Sequence, residues 1–217
     1  MKAHNLPRSL SAPRLQAIIL AAGFSSRLGS PKALARVGTS SLLRRTIALA
    51  SGLTPAKILV VVPRRTARYR IEAQGFNVVF AANPRRTDGL SSSVRLGLRG
   101  ARSSAAALLL PVDLATLRQR DILRLISHWR ARRRCVIARC IGSAGDMPRG
   151  GVPLILPRWL YSRAQAVTGD IGLRGLVNGL PPSQRVLLSI PSASLDVDTL
   201  QDLRAARRHL RAFGTCL

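Results

Sequence analysis

Short apolar runs alternate with stretches of helical spacing along this chain, and that alternation constrains the fold more than any other feature. "LQAIIL" reads as a buried strand, and "SSLLRRTIALASGL" follows with apolar positions on one helical face. "KILVVV" and "NVVFAA" are further strands, separated by "TARYRIEAQG", a helix that stops at Gly75. "DGLSSSVRLGLRGA" is a Ser-rich helix start with Leu96 and Gly97 in its body, and "AAALLLPVD" is a strand ending at an aspartate. The second half continues with amphipathic "RQRDILRLISHWRARRR", the strand "CVIARC", the loop "GSAGDMPRGG" and the strand "VPLILP". Two short helical pieces, "RWLYSRAQAV" and "IGLRGLVNGL", precede "RVLLSI", "SLDVDT" and a last helix from about Thr199 to Arg211. Strands that alternate with helices pair mainly in parallel and carry helices on both faces. The expectation is one α/β domain over residues 15–217, behind a loose tail at residues 1–14 that has two prolines and no periodicity.

In such sheets ligands bind beyond the carboxyl ends of the strands, often on the first strand-to-helix turn. That turn here is "LAAGFSSRLGSPKAL". Gly23 and Gly29 let the backbone approach a ligand and take positive φ where needed. Amides and hydroxyls around Ser25 and Ser26 suit phosphate oxygens, and Arg27 and Lys32 supply positive charge. The loop is neither GxxxxGK[ST] nor GxGxxG, because Gly23 and Gly29 stand six apart.

The same stretch resembles the LAAGxSxRxGxxKxL signature of the molybdenum cofactor nucleotidyltransferases, within a wider Rossmann-like group of cytidylyl- and guanylyltransferases. The likeness continues in order along the chain from about residue 16 to 205. "NPRRTDGLSSSVRLGL" resembles the family's Asn-Pro and Gly-x-Ser-Ser-Ser segment, and "LLLPVDLATL" stands where a strand ends in Gly-Asp-x-Pro. "GGVPLIL" and "TGDIGLRGLV" resemble its Gly-His-Pro and Gly-Asp-x-Gly-x-Arg segments, and "LDVDTLQDL" resembles its Asp-x-Asp-Thr-Pro-x-Asp-Leu ending.

The resemblance implies a nucleotide site at Ala21, Ala22, Gly23, Ser25, Ser26, Arg27, Lys32, Ser92 and Ser93, with Ser91 to Ser93 near base and ribose. Arg27, Lys32 and Asp113 would be catalytic, and Asp113 with Asp198 would hold Mg²⁺, with Asp196 as a nearby alternative ligand. Gly151 and Asp170 would face the acceptor. Mg²⁺ is commonly held by one or two carboxylates plus substrate phosphates, and only nine acidic residues are available in the chain. The implied reaction is attack by a phosphate of the molybdopterin cofactor on the α-phosphorus of CTP, with pyrophosphate leaving. Ala22 resembles the cytidylyl branch, where the guanylyl branch has glycine. A transferase using GTP or another phosphorylated acceptor such as a sugar phosphate, and a non-catalytic nucleotide- or cofactor-binding homologue, are the alternatives. A molybdoenzyme or its chaperone would be the downstream partner.

Several positions depart from the family pattern. Val112 and Ala115 flank Asp113 where glycine and proline are usual, Val152 replaces a histidine, and Leu200 replaces a proline. The charged positions are intact, so these changes bear on the acceptor.

Composition excludes some classes. The net charge is +26, but only three of the 35 basic residues are Lys, and the arginines are scattered through every predicted helix. With 4% aromatics there is little to stack single-stranded nucleic acid, so a nucleic-acid partner is not expected. No apolar stretch reaches the roughly 18 residues needed to cross a bilayer, and a cytoplasmic location is expected. Cys135, Cys140 and Cys216 show no metal-ligand spacing, and His4, His128 and His209 read as surface residues.

Overall fold

Neighbouring residues Ile18 and Ile19 are both fully buried, on opposite faces of one strand, and so feed two separate cores. Each such isoleucine contributes about 1.5–3 kcal/mol through burial. The computed structural model describes residues 14–23, 25, 27–53, 58–142, 147–166 and 172–213. The expected tail, apart from Arg14, lies outside the described residues.

In chain order the elements are β1 (Leu15–Leu20), β2 (Arg36–Val37), β3 (Ser40–Ser41), α1 (Leu42–Ser51), β4 (Ile58–Pro63) and α2 (Ala67–Glu72). Then come β5 (Val78–Asn83), α3 (Leu90–Gly100), β6 (Ala106–Pro111), α4 (Gln119–Ala131), β7 (Val136–Ile141) and β8 (Arg149–Pro157). The chain continues with α5 (Tyr161–Ala166), α6 (Gly172–Asn178), β9 (Arg185–Leu188) and α7 (Leu200–Phe213). Strands β2 and β3 form a small antiparallel ribbon, and the other seven form one sheet in the order β5-β4-β1-β6-β8-β7-β9.

The sheet is mostly parallel, as the alternation of patterns predicts. β8 alone runs antiparallel to its neighbours β6 and β7, because it follows β7 without a crossover helix. It also starts earlier than its apolar run, at Arg149, within a segment whose sequence reads as a loop. Gly150 and Gly151 disguise this start, since glycine is a poor strand former, yet they pair with Cys140 and Arg139.

One core packs α1 and α4 on the sheet through Leu43, Ile47, Ile122 and Trp129. The other packs α3, α5 and α6 through Leu98, Tyr161 and Val177. A third, smaller cluster joins α7 to the first loop, through Leu203, Ala206 and Leu210 against Leu28, Val37 and Ala115. No helix among the described residues is long and apolar enough to cross a membrane.

Candidate active site

The chain runs from β1 out to β4 and β5, then returns to the other side of β1 as β6. The strand order reverses there, so a crevice opens between the carboxyl ends of β1 and β6, whose last paired residues are Leu20 and Pro111. It forms a cleft of about 440 Å³. Ala21, Ala22, Gly23, Lys32, Asp113 and Ser93, all expected at the site, line it together.

Local chemistry shapes each wall. Ser25 does not line the cleft; its Oγ accepts from the Lys32 amide at 2.6 Å and folds the loop back. Gly29 turns the loop at φ 70°, a conformation that other residues rarely take. Leu28 and Ala33 then bury, so Lys32 leaves a pinned backbone. On the opposite wall, Gly89 at φ 79° starts α3, and Gly89, Leu90 and Ser93 bring its N-terminus to the cleft.

The centre of the site is ionic. Lys32 Nζ donates to Asp113 Oδ2 at 3.0 Å and to Asp198 Oδ1 at 2.5 Å. Burial alone would lower the pKa of this ammonium, but the two carboxylates outweigh it and hold it above the ordinary lysine value. The carboxylates meet through backbone pairing: Leu114 bridges Asp196, and the Val197 amide donates to the Asp113 carbonyl at 3.0 Å. Asp196 faces Arg139, with 3.4 Å between Oδ1 and Nη1. Burial pushes the Asp196 carboxyl up, and Arg139 opposes that shift.

Two residues that sequence reasoning missed hold the carboxylate loops. Arg45, nearly fully buried in α1, donates to the carbonyls of Ala115 at 2.7 Å and Leu117 at 3.4 Å, tying down the segment after Asp113. Asp202 accepts from the amides of Asp198 at 3.1 Å and Thr199 at 2.8 Å, while the Asp202 amide donates to Thr199 Oγ1 at 3.2 Å. This is a reciprocal cap at the start of α7, and it orients the residue next to Asp198. The spacing Thr-x-x-Asp in "DTLQD" is a readable signal for it.

Other expected site residues fall elsewhere. Arg27 is exposed and does not line the cleft. Ser92 is buried behind it, donating to the Gly89 carbonyl at 2.8 Å and accepting from Asn83 Nδ2 at 2.8 Å. Asn83 also donates to Ser93 Oγ at 3.0 Å, so the Asn-Pro segment braces the start of α3. Gly151 is buried and does not line the cleft; a Cβ there would run into the Ile141 side chain. Ser26 and Asp170 lie outside the described residues, as do His4 and Cys216. His128 is exposed as expected, whereas His209 is half-buried. Tyr69, Arg86, Arg139 and Arg174 line the cleft without having been anticipated as site residues. Arg139 had one signal, a charge inside the apolar run "CVIARC".

The donor set suits a divalent cation. Asp113 and Asp198 both turn oxygens toward the Lys32 ammonium, so a divalent cation there would share or replace that partner. No group of three or more His, Cys, Asp or Glu able to hold a metal ion occurs among the described residues, so the protein itself would supply at most two carboxylates to a cation and substrate oxygens the rest.

Comparison with known proteins agrees with this architecture. The model of the family described as MobA-like NTP transferase domain matches residues 17–186. A probable molybdenum cofactor guanylyltransferase of Rhodopirellula baltica is 28% identical over 195 residues, covering 88% of this chain and 90% of that protein. Among solved structures, a nucleotidyl transferase from Methanothermobacter superposes with a TM-score of 0.74 at 19% identity, over 92% of this chain and 99% of its own. Rv0371c from Mycobacterium tuberculosis gives a TM-score of 0.70 at 23% identity, over 90% and 98% of the two chains.

Proposed function

The chain belongs to the MobA-like NTP transferase domain family, and from that premise we propose that it moves CMP from CTP onto the phosphate of the molybdopterin cofactor. The observation that carries this reading is the convergence of Lys32 and Asp113 in the crevice beside the Ala21–Gly23 turn, with Asp198 on the same ammonium.

An acceptor phosphate oxygen forms a bond to the α-phosphorus, the bond from that phosphorus to the α,β-bridging oxygen breaks, and pyrophosphate leaves with the electron pair. The nucleophile is already an anion, so the protein has to position and neutralise charge, and no strong base is required. Lys32 faces the triphosphate as a charge held firmly protonated by its carboxylate neighbours. Amides of the first turn and of the start of α3 bind phosphate oxygens and ribose. Asp113 and Asp198 would hold Mg²⁺, which when bound neutralises charge on the α-phosphate. A related mycobacterial structure was obtained in complex with manganese.

Ala22 supports CTP as donor through the cytidylyl resemblance. A second reading, GTP as donor, is favoured by the name of the Rhodopirellula relative. The test is pyrophosphate release with Mg²⁺ or Mn²⁺ and each nucleoside triphosphate, with and without molybdopterin. Release that requires both CTP and the pterin supports the first reading; release with GTP alone replaces it with the second. Loss of release by about 10²-fold or more is expected in Asp113→Asn, the scale of losing one charge-stabilising group. An Asp113→Asn protein that still turns over normally would remove the metal assignment.

A further inference from the structure

Arg14, Arg134 and Arg158 are exposed at the end of the sheet opposite the cleft, where β1, β6 and β7 begin and β8 ends. Backbone hydrogen bonds set them in a row. The Ala105 amide donates to the Arg14 carbonyl at 2.8 Å, and the Arg158 amide donates to the Ala105 carbonyl at 3.0 Å. Trp159 completes the row, its Nε1 donating to the Arg134 carbonyl at 2.9 Å. The strand-to-strand steps from β1 to β7 span about 15 Å, the reach of roughly four or five residues of extended chain.

The loop that carries Arg132, Arg133 and Arg134 is fastened rather than left to its own repulsion. The Arg132 amide donates to the His128 carbonyl and the Cys135 amide to the Arg132 carbonyl, both at 2.9 Å, and Cys135 Sγ reaches the Ser183 carbonyl at 3.3 Å. The Arg133 guanidinium lies 5.8 Å from the centroid of the Trp129 ring, a cation–π contact. Carboxylates are elsewhere. The described ion pairs belong to Lys32, Arg36 and Arg139, and the described aspartates follow the carboxyl ends of strands or open the helices that start there. The fold therefore holds like charges close together and acid-free, with the ordering of their backbone already complete, as a preorganised anion-binding surface requires.

We propose that this end of the sheet is a docking surface for an extended, carboxylate-rich segment of a partner protein, with Trp159 taking an apolar side chain from it. Charge complementarity selects the acidic segment, because guanidinium forks pair with carboxylates in two parallel hydrogen bonds. Trp159 selects a protein. Single-stranded nucleic acid needs successive rings to stack on, and Trp159 is the one exposed aromatic residue among the described residues. Its hydrogen bond to the Arg134 carbonyl also holds the ring against the loop, where a membrane anchor would project. An exposed tryptophan among arginines is the composition of an energetic centre in protein interfaces. A partner bound here leaves the cleft open at the other end of the strands.

The probe is a fluorescein-labelled peptide of glutamates around one leucine, titrated into the full chain by anisotropy at about 0.15 M salt, where charges beyond roughly 8 Å are screened. Arg134→Glu combined with Arg158→Glu should weaken binding by about tenfold or more, the scale of charge-assisted hydrogen bonds. Arg204→Glu combined with Arg208→Glu on α7 changes the net charge equally and should leave binding nearly unchanged. All four side chains are exposed, so both variants keep the packed core, which thermal melts check. Trp129 is buried, so acrylamide quenching of the intrinsic fluorescence reports Trp159, and the unlabelled peptide should shield it. Equal losses in the two double variants, or quenching that the peptide leaves unchanged, overturns the docking surface. So does tighter binding of duplex DNA or phosphatidylglycerol vesicles that displaces the peptide and is lost in Arg134→Glu, Arg158→Glu, since the occupant is then a nucleic acid or a membrane. None of these readouts depends on nucleotidyl transfer.

Discussion

Lys32 Nζ stands 3.0 Å from Asp113 Oδ2, although 81 residues separate them in the chain. Lys32 leaves the turn after β1 and Asp113 follows β6, and these two strands are neighbours at the point where the strand order reverses. Asp198 reaches the same ammonium from just before α7, because the Leu114–Asp196 bridge brings the last loop alongside. Three distant segments thus share one charge, and the stability and chemistry of the site depend on it together.

That shared charge carries a pH signature. The pKa of Lys32 is raised in the folded protein, so its ion pairs contribute fully below the ordinary lysine value of 10.5 and are lost as pH climbs through the higher folded value. Lys32→Met should melt below wild type at neutral pH, and the gap should narrow in strongly alkaline buffer. Thermal melts of both proteins across the alkaline range check this; a gap constant with pH would show that lost packing, not charge, is responsible.

Thr199 caps α7 while its amide neighbour carries Asp198. Thr199→Ala should cost about 0.5–2 kcal/mol, as loss of an N-cap does. It should also lower turnover, because Asp198 loses the arrangement that Asp202 and Thr199 impose. Thr199→Ser keeps the oxygen and should restore both. The pKa of Asp202 is lowered chiefly by the Thr199 hydroxyl, then by the Thr199 and Asp198 amides. Its contribution is therefore present above the ordinary aspartate value of 3.8 and disappears as pH falls through the lower folded value. Urea unfolding at neutral and acidic pH, beside steady-state rates, separates these effects.

Asn83 is buried at 3% exposure and serves Ser92, Ser93 and the Arg85 amide at once. Asn83→Ala removes these three hydrogen bonds and should destabilise by about 1–3 kcal/mol. Because Ser93 lines the cleft, nucleotide KM should rise more than kcat falls. A variant with unchanged KM would confine Asn83 to a purely structural role.

Gly97 faces the sheet so closely that a Cβ would lie 2.6 Å from Ile18 Cγ2, on a branched side chain held between strands. Gly100 has the same clearance from Leu59 Cδ2, the free end of a flexible side chain. Gly97→Ala should therefore lose about 1–3 kcal/mol, as overpacked cores do, and Gly100→Ala clearly less. Chemical denaturation of the pair tests the ranking, and equal losses would contradict it.

Side-chain period is local, so the chain itself declares its strands and helices: "LQAIIL", "KILVVV" and "AAALLLPVD" become β1, β4 and β6 much as their patterns predict. The first turn and the aspartate at the end of β6 are legible for the same reason. What period cannot carry is adjacency between distant segments. That Lys32 would pair with both Asp113 and Asp198 depends on the strand order and on the cluster of Leu28, Ala115, Val197 and Leu203 that seats α7 against the first loop. Ser92 and Arg27 show the converse. Both stand in motif positions, yet Ser92 turns inward to Asn83 and Arg27 turns to solvent, outcomes set by packing around them. Arg139 reads in the sequence as one charge in an apolar run; its place at the cleft depends on the strand order, which sets the carboxyl end of β7 two strands beyond β6.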